Sequence, residues 1–289
     1  MKSVQIGDRT VGPGHPTFIV GEIGINHNGS LELAKRLIDA AVASGCDAVK
    51  FQKRTVEVVY TPGELARPRE SPFGNTNGEL KRGLEFGSDA YAEIDRHCRS
   101  RGILWFASCW DRQSVEFIET FDVPCYKIAS ACLTDDELLV HHRSKGRSIL
   151  LSTGMSTPTQ IDHAVDVLGG DGLVLLHCTS AYPARVDELN LKVIPALIDR
   201  YRVPVGYSGH EVGLYTTVAA VALGACVVER HITLDRSLWG SDHAASIEPV
   251  GMTRLVKDIR AVETALGDGI KRVYDSELPV RDKLRRVGL

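Results

Sequence analysis

Eight short runs of apolar, mostly β-branched residues alternate along this chain with segments of helical periodicity, and no other feature limits the fold so tightly. The runs are FIVGEIG (18–24), AVKFQ (48–52), LWFAS (104–108), CYKIAS (125–130), SILLST (148–153), LVLLHCT (173–179), VPVGYS (203–208) and CVVERHI (226–232). Between them lie SLELAKRLIDAAVASG, with Ser30 placed to cap its start and Gly45 to close its end, then SVEFIETF, TPTQIDHAVDVLG, LYTTVAAVALG and GMTRLVKDIRAVETALG. Strands that read as continuous apolar runs belong to a parallel sheet covered by helices. Eight such units predict an α/β protein of the closed (β/α)8 TIM-barrel type rather than an open doubly wound sheet. The glycine fingerprint GxGxxG expected after the first strand of a dinucleotide-binding sheet is absent.

At 289 residues the chain fits one such barrel, whose usual size is about 250 residues, so residues 1–289 read as a single catalytic domain. Within residues 1–16, VQIGDRTVG reads as a β-hairpin turning at Gly7-Asp8 and covering the barrel bottom. The connection from 54 to 87 is far longer than a usual βα loop. Such loops are functional or disordered, and PRESPFGNTNGELKRG carries polar groups able to reach over a site.

A net charge of −3 provides no field for nucleic acid or an anionic membrane. No apolar stretch approaches membrane-spanning length, and MKSVQIGDRTVG lacks the apolar core of a signal peptide, so a cytoplasmic location is expected. The seven cysteines show no CxxC spacing and read as reduced, buried thiols rather than disulfides or a zinc site.

In a (β/α)8 barrel, chemistry gathers at the C-terminal ends of the strands. That rule brings together Glu22 and Asn26 to Asn28, Lys50 and Gln52, Ser108 and Trp110, Lys127 and Ser130, and Ser152 and Thr153. The later strands add His177, Thr179, Ser180 and Tyr182, then Tyr207, Ser208 and His210, and finally Glu229, His231, Asp242, His243 and Ser246. Singly, each has an ordinary reading: a strand lysine is a satisfied ion pair, serines and threonines bond their own backbone, His177 packs in the core, and His97, His141 and His142 sit on helix surfaces. Convergence of eight polar strand ends outweighs those readings. Two lysines with a set of hydroxyls describe a small, strongly anionic ligand. His210 and His231, with Glu22, Glu229 and Asp242 at hand, describe a divalent metal; Mn²⁺, Zn²⁺, Fe²⁺ and Mg²⁺ all suit mixed His and carboxylate ligation. A metal with open positions polarises a carbonyl, and the implied chemistry joins an anionic three-carbon unit to an aldehyde.

The segments FIVGEIGINHNGSLELAKRLIDAAVASGCDAVKFQ, YKIAS, LLSTGMST, LLHCTSAYPA, GYSGH and ERHITLDR…GSDHAAS closely resemble the sialic acid synthase (N-acetylneuraminate synthase) family, over residues 4–285. The resemblance implies a transferase that condenses phosphoenolpyruvate with N-acetylmannosamine or a related aldose and releases phosphate and a 2-keto-3-deoxy sugar acid. It implies that Lys50, Ser108, Lys127, Ser130, Ser152, Ser180 and Ser208 hold phosphoenolpyruvate, Ser180 standing where some members have asparagine. His210 and His231 match the metal ligands, with Mn²⁺ first and Mg²⁺, Co²⁺ or Zn²⁺ as alternatives. Glu22, Gln52, Trp110, Tyr182 and Asp242 match positions near the metal water or the sugar, and Glu229 and Arg230 support His231 or its surroundings. A homodimer is the default assembly.

Two departures stand out. Cys132 occupies a motif position that commonly carries an acid, and the chain ends at VRDKLRRVGL without the antifreeze-like domain whose arginine reaches a partner's sugar site in many members. Arg67 or Arg69 of the long connection is the substitute arginine to expect. Two other readings compete: a Schiff-base pyruvate aldolase using Lys127 or Lys50, and a barrel that only binds.

Overall fold

The computed structural model describes residues 2–287. It opens with the expected hairpin, β1 (Val4–Ile6) and β2 (Arg9–Val11), paired antiparallel. The chain then runs through β3 (Phe18–Gly24), α1 (Leu31–Ser44) and β4 (Ala48–Lys53). The long connection follows: α2 (Val56–Val59), α3 (Pro62–Leu65), the hairpin β5 (Pro68–Ser71) and β6 (Gly74–Thr76), and α4 (Asn77–Leu84). Next come α5 (Ser88–Arg101), β7 (Leu104–Cys109), α6 (Arg112–Glu119), β8 (Cys125–Ile128), α7 (Asp136–Ser144), β9 (Ser148–Ser152) and α8 (Pro158–Leu168). The remainder is β10 (Leu173–Cys178), α9 (Val193–Tyr201), β11 (Val205–Gly209), α10 (Tyr215–Ala222), β12 (Val227–His231), α11 (Pro249–Leu266) and α12 (Leu278–Leu284).

All eight apolar runs are strands, and they close in chain order, β3-β4-β7-β8-β9-β10-β11-β12 and back to β3, every pair parallel. The strands are buried over almost their whole length, because one side faces the barrel and the other the helices. Local signals hold at the helix ends. Ser30 Oγ accepts the Leu33 amide at 3.2 Å, and α1 stops at Gly45, whose φ of +84° suits a residue without a Cβ. The N-terminal hairpin lies at the barrel bottom, where Ser148, at the start of β9, donates to the Gln5 carbonyl at 2.6 Å.

The 54–87 connection carries regular structure of its own. Thr61–Glu64 and Thr76–Glu79 form capping boxes that start α3 and α4, a pattern hidden when the segment is read only for its polar content. A second difference concerns His142, expected on a helix surface but fully buried. Its ring meets Tyr126 edge-on, with centroids 5.2 Å apart, and its Nδ1 bonds the Leu138 carbonyl one turn earlier at 2.9 Å, so the helix satisfies one ring nitrogen while Nε2 is buried without a hydrogen-bond partner. All seven cysteines are free, and no helix among the described residues is long and apolar enough to cross a membrane.

Candidate active site

Strand register decides which polar residues meet. Glu22 lies beside Lys50 and His231, Gln52 beside Ser108, Ser108 beside Lys127, and Ser208 beside both Cys178 and Glu229. Successive strand residues point to opposite faces, so Glu229 and His231 line the barrel mouth while Arg230 points out to the helices. There its guanidinium is buried and bonds the Glu211 carboxylate at 3.0 Å, the Gly213 carbonyl at 3.1 Å and Thr217 Oγ1 at 2.5 Å. Arg230 thus ties β12 to α10 and takes no part in the mouth.

The mouth encloses a cavity of about 200 Å³. Lys50, Ser108, Trp110, Lys127, Ser130, Ser152, Ser180 and Ser208 all line it, as do Glu22, Gln52, Tyr182, Glu229, His210 and His231. Asp242 stands at the rim, its carboxylate 3.8 Å from His231 Nδ1. At the cavity floor Lys50 Nζ lies 2.9 Å from Glu22, 2.9 Å from Ser108 Oγ and 3.7 Å from Glu229, whose carboxylate is also 3.6 Å from Lys127 Nζ. Ser208 donates to Glu229 at 3.1 Å, and Gln52 Nε2 to Glu22 at 3.0 Å.

Burial governs how these charges titrate. It pushes Glu22 up to about 7, with the Glu229 charge adding to it and the Lys50 ammonium opposing. Burial works the same way on Glu229 but loses there to the ammoniums of Lys127 and Lys50, which hold that carboxyl low. Burial also depresses Lys127 and His231, while Glu22 and Glu229 together keep Lys50 protonated. Glu229 Oε2, Ser152 Oγ and His231 Nδ1 are buried without any hydrogen-bond partner. Such orphans are costly in a folded core, and these three belong to residues that line the one cavity.

His210 and His231 bring their rings to 5.4 Å centroid to centroid. His210 Nδ1 meets the Thr179 carbonyl at 2.9 Å, which fixes the proton there and leaves the Nε2 lone pair free. Tyr182 flanks both rings, 4.1 Å from His210 and 5.8 Å from His231. Among the described residues no third His, Cys, Asp or Glu completes a coordinating cluster.

Several residues contribute that the sequence pattern alone does not single out. Gly154 donates its amide to Ser130 Oγ at 3.0 Å, and a Cβ there would come within 2.2 Å of Ser180 Oγ, so its bare backbone lets two hydroxyls converge. Arg54, two residues past Gln52, is buried; it bonds the Gln52 side chain and stacks 4.6 Å over the Trp110 ring. Its place at the end of KFQKR was the available signal. Arg67 is exposed and absent from the cavity walls, whereas Arg69 lines a neighbouring cavity. Cys132 is buried with its thiol pushed up to about 12, so it supplies no negative charge where an acid is common. His177 bonds the Leu189 carbonyl at 2.6 Å behind the barrel wall, as a core histidine should.

Fold and site together define a (β/α)8-barrel synthase of the sialic acid type. The chain belongs to the NeuB family, whose model matches residues 37–271. It is 43% identical to human N-acetylneuraminate-9-phosphate synthase over 282 residues, covering 96% of this chain and 78% of that one. It is 40% identical to N,N'-diacetyllegionaminic acid synthase of Legionella pneumophila, covering 93% and 78%. Sialic acid synthetase of Leptospira borgpetersenii, solved with citrate, superposes with a TM-score of 0.87 at 30% identity, over 99% of this chain and 98% of that one.

Proposed function

We infer that the protein condenses phosphoenolpyruvate with N-acetylmannosamine or a closely related aldose, forming a 2-keto-3-deoxy sugar acid and releasing phosphate. The observation that carries this reading is the meeting of two buried ammoniums and a ring of serine hydroxyls with a pair of imidazoles in one cavity. Lys50 and Lys127 neutralise the donor's carboxylate and phosphate, and Ser108, Ser130, Ser152, Ser180 and Ser208 complete its coordination. Ser152 Oγ, buried and unpartnered, is free for that bond.

The donor set fits a divalent cation. His231 Nδ1 is bare and His210 Nε2 is directed away from its Thr179 bond, so these two imidazoles would hold the ion, with Mn²⁺ first and Mg²⁺, Co²⁺ or Zn²⁺ as alternatives. When bound, such an ion supplies Lewis-acid polarisation of the aldehyde. The chain's own groups set up the rest. Held against the aldehyde, C3 of the donor bonds to the aldehyde carbon and positive charge develops at C2. Water adds at C2, and collapse of that centre breaks its bond to the phosphate oxygen. Glu22, kept partly protonated near neutrality and oriented by Gln52, is placed to carry a proton between the water and the new hydroxyl. Tyr182, Asp242 and Trp110 at the rim position the sugar. Holding the two reactants in line and stabilising the charge that develops between them supply most of the acceleration in a site of this kind.

The test is phosphate release from phosphoenolpyruvate with a panel of acetamido sugars, mannose and their 6-phosphates, with Mn²⁺ and with chelator. Metal-dependent release with one of these sugars is the expected result. Pyruvate turnover that resists chelator, with a lysine trapped by borohydride, would replace this reading with a Schiff-base aldolase.

A further inference from the structure

A run of side-chain contacts leads from the end of the 54–87 connection to the cavity floor, from Glu85 to Arg54, then Gln52, then Glu22. We infer that Arg54 is a positioning residue of the condensation, which fixes the direction of the Gln52 amide and, through it, the Glu22 carboxyl; the proposal rests on the synthase reading above.

Donor and acceptor chemistry is the first argument. The two ends of a glutamine amide have nearly the same shape, and only the partners decide which end faces where. Arg54 decides it here, because a guanidinium has donors and no acceptor. Its Nη2 bonds Gln52 Oε1, so the amide NH2 is left for Glu22 Oε1, to which it donates at 3.0 Å. Oε1 of Glu22 is thereby committed as an acceptor. Its Oε2 stands 2.9 Å from Lys50 Nζ yet has no aligned hydrogen bond, and it is the oxygen left open to a reactant. With an apolar side chain in place of Arg54, no other hydrogen bond among the described residues holds the amide oxygen. A turned amide would then present that oxygen to Glu22.

Position is the second. Arg54 is buried, and its guanidinium lies 4.6 Å over the Trp110 ring. Its Nη1 and its backbone N–H reach the Glu85 carboxylate at 3.4 and 3.2 Å. Glu85 directly follows α4 and also accepts from Lys53 Nζ at 3.2 Å, so the far end of the connection is latched to the two residues after Gln52. The backbone opposite leaves room for the same contact. The β3–β4 register shifts between Glu22 and Gly24, and a Cβ on Gly24 would come within 2.9 Å of Glu22 Oε1 and 3.1 Å of Gln52 Nε2. Arg54 itself does not line the cavity, so it acts on the reaction through Gln52 without touching either reactant.

The experiment is a double-mutant cycle in the metal-loaded enzyme, with phosphoenolpyruvate and the aldose it turns over, using Arg54→Met, Gln52→Leu and the two combined. Arg54→Met should lower kcat roughly 10- to 100-fold. KM for phosphoenolpyruvate should stay within about twofold, because Arg54 has no hydrogen bond to any lysine or serine assigned to the donor. In the Gln52→Leu background the same substitution should cost less than about twofold, since its route to the reaction is gone. Equal losses in both backgrounds, or a loss carried by KM for phosphoenolpyruvate, would overturn the proposal. If Arg54→Met fails to fold because Glu85 loses a partner, Arg54→Met/Glu85→Gln carries the same comparison. Neutron diffraction reads the amide directly and needs no turnover. If the wild type turns over no aldose, the synthase reading fails, and the orientation of Gln52 is still decided. We expect its deuterons directed at Glu22 in the wild type, and turned or split between two orientations in Arg54→Met. An amide nitrogen facing Arg54 in the wild type, or an orientation that ignores the substitution, overturns the role of Arg54.

Discussion

His27 should make the stability of this barrel fall steeply with acid. It is 2% exposed and stacks on Phe86 with ring centroids 4.2 Å apart, and its Nδ1 accepts the Gly29 amide at 3.1 Å. Protonation of Nδ1 would turn that acceptor into a second donor facing an N–H. Burial first, and then the nearby Arg54 guanidinium, lower its folded pKa from 6.5 to about 3. The unfolded chain therefore takes up a proton as pH falls through 6.5, while the folded chain refuses it until about 3. The contribution of His27 is present above pH 6.5 and is lost progressively as pH falls toward 3. With one pKa unit equal to about 1.4 kcal/mol, the loss between roughly pH 7 and pH 5 is about 2 kcal/mol. Urea unfolding of the wild type and His27→Leu at those two pH values measures it. The penalty of the substitution should shrink by about 2 kcal/mol at the lower pH. His142, lowered to about 4 by burial, adds a similar slope to both proteins and cancels in the comparison. Equal losses of stability in wild type and variant would refute the reasoning.

Three further expectations use the same unfolding and kinetic assays. Arg230→Met leaves Glu211 charged and buried opposite an apolar chain, and should cost about 3–5 kcal/mol in urea unfolding. Gly154→Ala pushes the Ser130 and Ser180 hydroxyls out of position, so KM for phosphoenolpyruvate should rise on the order of tenfold or more while the unfolding midpoint moves little. His231→Ala should lower metal affinity and turnover without unfolding the barrel; normal activity in that variant at limiting metal would remove His231 as a ligand.

The barrel was legible because eight continuous apolar strands admit few other arrangements, and the mouth because strand ends are where a barrel exposes polar groups. What the one-dimensional pattern withheld were facts of side and depth. Glu229, Arg230 and His231 are consecutive, yet only the first and third face the cavity; period-two alternation implies this, but the partner of Arg230, Glu211, lies on a separate loop and could not be read from spacing. His142 looked like a surface residue because its helix is polar around it, and only tertiary packing, with Tyr126 of β8 against its ring, buries it. Arg54 and Gly154 escaped notice for a related reason. Their contribution lies in what they allow other side chains to reach, and that depends on distances across the mouth rather than on residue type.

Opposite charges at the cavity floor explain how a small polar pocket can hold so many buried ionisable groups. Lys50 lies within 3.7 Å of both Glu22 and Glu229, and Lys127 lies 3.6 Å from Glu229, a set of four that would be neutral if all were ionised. Its members do not share the burden equally. Glu229, between both ammoniums, stays ionised, while Glu22, held against one ammonium and beside the charge of Glu229, keeps its proton to about pH 7. A multiply charged donor entering this cluster adds negative charge next to Glu22 and strengthens its hold on that proton. On the proposed function, donor binding and protonation of Glu22 would favour one another, and Gln52 would hold that carboxylic acid beside the imidazoles, where the proposed reaction requires a proton at the aldehyde oxygen. On that reading, the same ion pairs that hold these side chains in the cavity would also prepare an acid for the condensation.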